Sequence, residues 1–257
     1  EKGDYTSTIT LSEKMFETAD LFNNDYTMAW WFCSHLAFSI KFRKLERAEI
    51  KSKKGIELIR KTGLKLLLFM IYALNTRLML LKEDIQAAKT SLESAKILQS
   101  EISMAPWYLS VFLNAQLSFE LVTLEKSIQD DNKIMITNIH KNIIKTIKRT
   151  QKTVRKAATG RTEAYRLIGC VSRVLGQQKK ALKWWKKSIK AGETLGAKPE
   201  LSRTYFEIGK SLSAPESKYK QLNGITADEY LDKAKAMFEE MDLQWDLNEL
   251  TKISATN

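Results

Sequence analysis

The stretch "ALKWWKKSIKAG" (181–192) sets two adjacent tryptophans inside a run of lysines. Aromatics beside cations suit a nucleic-acid surface, where bases stack and phosphates pair. They equally suit an amphipathic helix with a heavy buried side. A helix advances about 100° per residue. From Ala181, Trp184 then falls near −60° and Trp185 near 40°, with Ser188 and Gly192 between them. Lys179, Lys183, Lys186 and Lys190 fall on the opposite side. Tryptophans and lysines face apart, so both Trp184 and Trp185 are expected in a core and the lysines in solvent.

Outward from this helix the pattern repeats. "EAYRLIG" (163–169) and "RTYFEIG" (203–209) match, each with Tyr four residues before Gly and Ile just before it: Tyr165 and Gly169, then Tyr205 and Gly209. After Gly169 come Gly176, Ala181, Trp185 and Ser188. After Gly209 come Ala227, Leu231 and Ala234, displaced by the loop "SAPESKYKQLNG" (213–224). Small residues at these places let antiparallel helices approach closely while the large one fills the space between hairpins. Upstream, Ala88, Leu92 and Ala95 keep the small–large–small order, and Ala48, Ser52 and Gly55 place a small residue in the large slot. The periodicity predicts helices over 8–23, 27–44, 47–61, 64–82, 84–102, 105–128, 132–158, 162–175, 178–196, 200–212 and 226–241, with a short piece at 243–253 and no sheet.

The Gly169–Gly176–Ala181–Trp185 spacing resembles the tetratricopeptide repeat (TPR). The segments "RTEAYRLIG", "ALKWWKKSIKAGETLGAKPELSRTYFEIGK" and "YLDKAKAMFEEMDLQWDL" look like the C-terminal long-period TPR region of bacterial signalling ATPases of the STAND or AAA type and of ATPase-linked nucleotide cyclases. This resemblance is close over about 160–250. It departs from the pattern at Ser188, where Ala is usual, and at Ser172, where an aromatic is usual. It implies an all-α, right-handed superhelix of antiparallel hairpins, a single solenoid domain over 1–257 that is part of a longer multidomain protein. The function implied is a protein-binding or sensing module in signal transduction. A small-ligand sensor of the STAND kind is the second implication, with Trp107 and Tyr108 after Pro106 as its candidate pocket.

Composition narrows the alternatives. Hydrophobic residues make up 44% of the 257, enough for a core. Cys33 and Cys170 lie in separate apolar stretches with no CxxC pair, which fits a reducing cytoplasm. The most apolar run, "LLLFMIYAL" (66–74), is too short for a bilayer and reads as a helix buried on all sides, so no membrane role is expected. The opening "EKGDYTST" has no signal-peptide character.

The chemistry of an enzyme is not legible. "GKS" (209–211) matches the end of a phosphate-binding loop but has Thr204 where the upstream glycine belongs and follows a helix, not a strand. His35 reads as a core histidine, and neither it nor His140 has a metal-ligand spacing. A non-catalytic chain with no cofactor and no metal is expected.

Charge is unevenly spread. Residues 132–192 hold seventeen Lys or Arg and one acid, Glu163, a net +16 in a chain of +12, so the remainder sums to −4. On 132–158, Lys141, Lys145, Lys148, Arg149, Lys152, Arg155 and Lys156 fall within about 120° of arc, with Ile136, Ile139, Ile143, Ile147, Val154 and Ala157 in the opposite half. Lys183, Lys186 and Lys190 form a second stripe, expected to line the same surface of a solenoid. The partner expected for this basic face (about 133–190) is an acidic protein or an upstream domain of the same chain. Non-specific nucleic-acid contact ranks behind, because no exposed aromatic platform accompanies the lysines.

Overall fold

The computed structural model describes residues 4–46 and 48–254. They form twelve helices: α1 (Tyr5–Leu21), α2 (Asp25–Lys41), α3 (Ala48–Thr62), α4 (Lys65–Leu81), α5 (Ile85–Glu101), α6 (Pro106–Gln129), α7 (Lys133–Lys156), α8 (Arg161–Val174), α9 (Gln178–Leu195), α10 (Lys198–Ser213), α11 (Ala227–Glu240) and α12 (Gln244–Ser254). Among the described residues no helix is long and apolar enough to cross a membrane. The chain divides into two compact units, Tyr5–Ala157 and the residues from Ala158 onward.

Local chemistry sets the helix ends. A residue with positive φ closes one helix and a short polar side chain opens the next: Asn23 then Asn24 before α2, Glu83 then Asp84 before α5, Asp131 then Asn132 before α7. Each of these caps accepts from the backbone N–H three residues on, at 2.9, 2.9 and 3.1 Å. Gly176, at φ +70°, makes the same reversal between α8 and α9. Such short turns leave consecutive helices antiparallel and adjacent.

In the first unit, α2, α4 and α6 pack on one another in succession, and α3, α5 and α7 cover them as hairpin partners. The apolar run of α4 is the centre, with all of 66–74 buried except the half-buried Leu66 and Leu68. Ala88, Leu92 and Ala95 are buried along α5, as are Ala48, Ser52 and Gly55 along α3. The hydroxyl in the large slot is not idle: Ser52 Oγ donates to Asn75 on α4 at 2.8 Å.

In the second unit Trp185 is fully buried and its Nε1–H donates to Arg166 O at 3.2 Å. A Cβ on Gly169 would stand 2.3 Å from that Nε1, and one on Gly209 would stand 2.6 Å from Leu231 Cγ. Gly169–Trp185 and Gly209–Leu231 are therefore the same seat in successive hairpins. Ala181 and Ala234 are fully buried, Ala227 is half-buried at the start of α11, and Tyr165 and Tyr205 are half-buried. Ser188 is buried, donates to Thr162 O at 2.8 Å and lies 2.8 Å from Thr204 Oγ1, tying α9 to α8 and α10. Ser172 donates to Ile168 O within its own helix.

A second periodic feature runs through this unit. The third residue of α8, α10 and α12 is acidic (Glu163, Glu200, Asp246), and the sixth of α8 and α10 is arginine (Arg166, Arg203). Each arginine pairs with the acid of the next helix in this series, α8 with α10 and α10 with α12. Arg166 donates from Nη2 to Glu200 at 2.9 Å, and Arg203 forks onto both oxygens of Asp246 at 2.8 Å. Arg203 also reaches back to Glu200 at 3.2 Å. All five side chains are buried. The corresponding places of α2, α4 and α6 carry Thr27 and Trp30, Leu67 and Met70, and Tyr108 and Val111, none of them charged.

Two expectations are corrected. Trp184 is half-exposed, not core: it sits between Tyr165, at 5.5 Å between centroids, and Lys187, whose Nζ lies 4.0 Å over its ring. Sixty degrees from the seam, it has the neighbouring helix on one side only. The absence of any sheet also fails locally, because Gln221–Leu222 and Ile225–Thr226 form a two-rung antiparallel ribbon, β1 and β2, within the long loop. Asn223 and Gly224, at φ 55° and 78°, supply the tight turn whose twist matches paired strands.

Trp185→Ala is expected to destabilise the second unit by about 3–5 kcal/mol, while Lys186→Ala on the solvent side changes stability by no more than about 0.5 kcal/mol. Denaturant titration of both variants checks this. Arg203→Met leaves Glu200 and Asp246 under-compensated in the interior and is expected to cost about 3–5 kcal/mol. Removing Lys198, whose pair with Glu240 is exposed, should cost about 0–1 kcal/mol in the same assay.

Candidate functional site: the basic face of α7

Helix α7 owes its exposed cations to the way its other side is filled. Asn132 starts it, and Ile139, Ile143, Thr146, Thr150, Thr153 and Val154 are buried where it packs along α6. The threonines extend the buried arc beyond what the apolar residues mark. Thr146 Oγ1 donates to Glu120 Oε1 on α6 at 2.9 Å, and Gln116 donates to the same oxygen at 2.8 Å. Burial raises the Glu120 pKa above the ordinary carboxylate value, against the opposing pull of these hydrogen bonds.

On the other side Lys141, Lys145, Lys148, Arg149, Lys152, Arg155 and Lys156 are all exposed. Among the described residues none of Lys141, Lys145, Lys148, Arg149, Lys152 and Lys156 has a carboxylate partner. Some lysines elsewhere in this unit are paired, Lys53 with Glu49 at 2.8 Å, Lys65 with Glu101 at 2.8 Å and Lys96 with Glu93 at 2.9 Å, whereas the α7 cations stand together along one arc of one helix. The α7 face thus concentrates positive charge that its own unit leaves unneutralised. Ile134 and Ile144 are exposed on the same helix, which carries no Phe, Tyr or Trp. In the second unit Lys183, Lys186 and Lys190 are exposed along α9, opposite the buried Trp185.

Trp107 and Tyr108 do not stand free. Their rings lie 4.4 Å apart in an edge contact, and both face Trp30 of α2, at 6.1 and 6.3 Å. Both are half-buried against the core of the first unit.

His35 is half-buried, and its Nε2 stands 3.0 Å from Lys51 Nζ. Burial, and then the Lys51 charge, lower its pKa to about 4. The neutral ring accepts from the ammonium, which fixes the N–H on Nδ1. Cys33, buried on the same helix, donates to Leu67 O and has its pKa raised to about 12 by burial.

No protein-family model matches the chain, and no curated protein matches it significantly. The repeat reading therefore rests on the residues quoted above and on the packing of adjacent helix pairs.

His35 gives a pH signature. Its folded-state pKa lies below the unfolded value, so its neutral form contributes stability that is fully present above about pH 6.5 and lost as pH falls toward about 4. Wild-type protein is expected to lose stability over that window by more than His35→Gln does, measured as denaturation midpoints at matched pH. Equal losses would show that His35 is not held neutral by its surroundings.

Proposed function

We propose that the chain is a non-catalytic interaction module, a right-handed superhelix of TPR-type hairpins serving a signalling protein in the cytoplasm, and that the basic face of α7 docks an acidic protein surface. That surface belongs to a partner or to another domain of the same protein. The observation that carries this reading is the row of six exposed cations on α7, Lys141, Lys145, Lys148, Arg149, Lys152 and Lys156, gathered within one arc of the helix and without carboxylate partners among the described residues. Like charges held along one rigid helix are unfavourable on their own and are relieved by a counter-charged surface. Packing supports the module reading: successive hairpins repeat one small-residue seat, Gly169–Trp185 and Gly209–Leu231, as in arrays that bind through their surfaces.

Nucleic acid ranks second because the face offers phosphate-binding charge but no aromatic side chain on which a base could stack. Exposed isoleucines at 134 and 144 fit a protein surface better.

The test is binding of poly-glutamate and of duplex DNA to wild type and to a triple variant, Lys145→Glu, Lys148→Glu and Lys152→Glu. Poly-glutamate binding is expected to weaken steeply between about 50 and 200 mM salt, where screening shortens to about 8 Å. The triple variant should lose it while retaining its unfolding midpoint, since all three residues lie outside the core. Unchanged poly-glutamate binding by the variant would overturn the docking face. Tighter binding of DNA than of poly-glutamate would transfer the face to nucleic acid.

A further inference from the structure

Helices α1, α2 and α3 enclose a cleft of about 570 Å³, within the range of small-ligand sites, lined by Ile9, Ser12, Phe16, Trp31, His35 and Lys51 among others. Trp31 is its focus. Phe16 lies 4.8 Å from that ring, Phe32 4.9 Å and His35 5.1 Å between centroids, and Lys51 Nζ stands 5.2 Å over it.

Two polar atoms of this wall, Trp31 Nε1 and Ser12 Oγ, are buried and meet no hydrogen-bond partner among the described residues. Both residues are more than nine-tenths buried. An indole N–H can only donate, so what Trp31 lacks is an acceptor. Buried donors are ordinarily paired, and an unpaired one beside a cleft is a place where an incoming acceptor gains more than it would in water. The Lys51 ammonium stands over the indole, and the imidazole beside it is neutral. The acceptor best suited to this corner is therefore anionic. Glu13, Glu17 and Lys54 also line the cleft, and because Lys54 offsets only one of the two carboxylates, a doubly charged group such as a phosphate monoester is disfavoured. Apart from Lys54, the remaining wall is aromatic and aliphatic, formed by Ile9, Phe16 and Phe32.

We propose that this cleft binds a small aromatic monocarboxylate, its ring against Phe16 and Trp31 and its carboxylate on Lys51, Trp31 Nε1–H and Ser12 Oγ–H. The two buried donors are reached by a shift of α1, which buries only Ser12 and Ala19 of its own length and leaves Leu11, Phe16 and Leu21 exposed. The wall carrying Ser12 is thus the lightly held one, and ligand binding tightens it. This site is independent of the α7 face, and neither depends on the other.

The probe is 2-naphthoate, titrated into the full chain and followed by the tryptophan indole N–H resonances, with Trp31 assigned as the signal lost in Trp31→Phe. The Trp31 signal is expected to shift saturably. Replacing 2-naphthoate by the neutral 2-naphthalenemethanol, or Lys51 by Met, should weaken binding by about tenfold or more, as loss of a charge-assisted contact does. Lys51→Arg, which keeps the charge, should bind within a few-fold of wild type. Naphthyl phosphate should bind more weakly than the carboxylate. No saturable shift at Trp31, a shift confined to other indoles, or equal binding of the acid and the alcohol would each overturn the proposal.

Discussion

The contact between Trp185 and Gly169 holds the second unit in register. The indole occupies the volume that any side chain at 169 would need, and its N–H satisfies a carbonyl of the opposing helix. An aromatic of that size cannot be accommodated one residue earlier or later without striking a Cβ, so the pairing of α8 with α9 has one setting. Leu231 over Gly209 repeats the arrangement with a smaller knob, in the hairpin α10–α11. The placement of Lys186 in solvent follows from that setting.

Two different means join successive hairpins in the two units. Where α2, α4 and α6 meet, the contacts are Trp30, Leu67, Met70 and Tyr108, apolar and tolerant of small displacements. Where α8, α10 and α12 meet, buried arginines reach from one helix to the acid of the next. Buried ion pairs add little net stability over apolar packing, but a mismatched register would strand a charge in the interior, so they penalise the alternatives heavily. The pairing keeps α12 docked through Asp246 although that helix is short.

Much of this architecture was legible because helical periodicity and residue size act locally. The helix ends agree with the polar caps and turn glycines, and the small residues at 88, 95, 181 and 234 lie in the seams that their spacing indicates. The basic stripe of α7 also follows from angle alone. Trp184 shows the limit of that argument: a position 60° from the seam is buried only where a second helix covers it. The ion ladder had a visible signal, Glu-x-x-Arg in both "EAYR" and "ELSR", but its pairing joins residues 34 and 43 apart and is specified by how far each helix starts from the seam. The Asn-Gly turn was visible too, inside a loop whose apolar Leu222 needed a partner. The cleft around Trp31 had no signature, because Ser12, Trp31 and Lys51 come together only when three helices pack.

The most direct measurement is hydrogen exchange of the tryptophan indole N–H groups in the native protein. Trp185 Nε1–H is buried and bonded to Arg166 O, so it should exchange only when the second unit unfolds as a whole, at a rate set by its global stability. Trp184, one residue away and half-exposed, should exchange orders of magnitude faster. Rapid exchange at both indoles would contradict the seating of Trp185 in Gly169, and with it the register assigned to the hairpin.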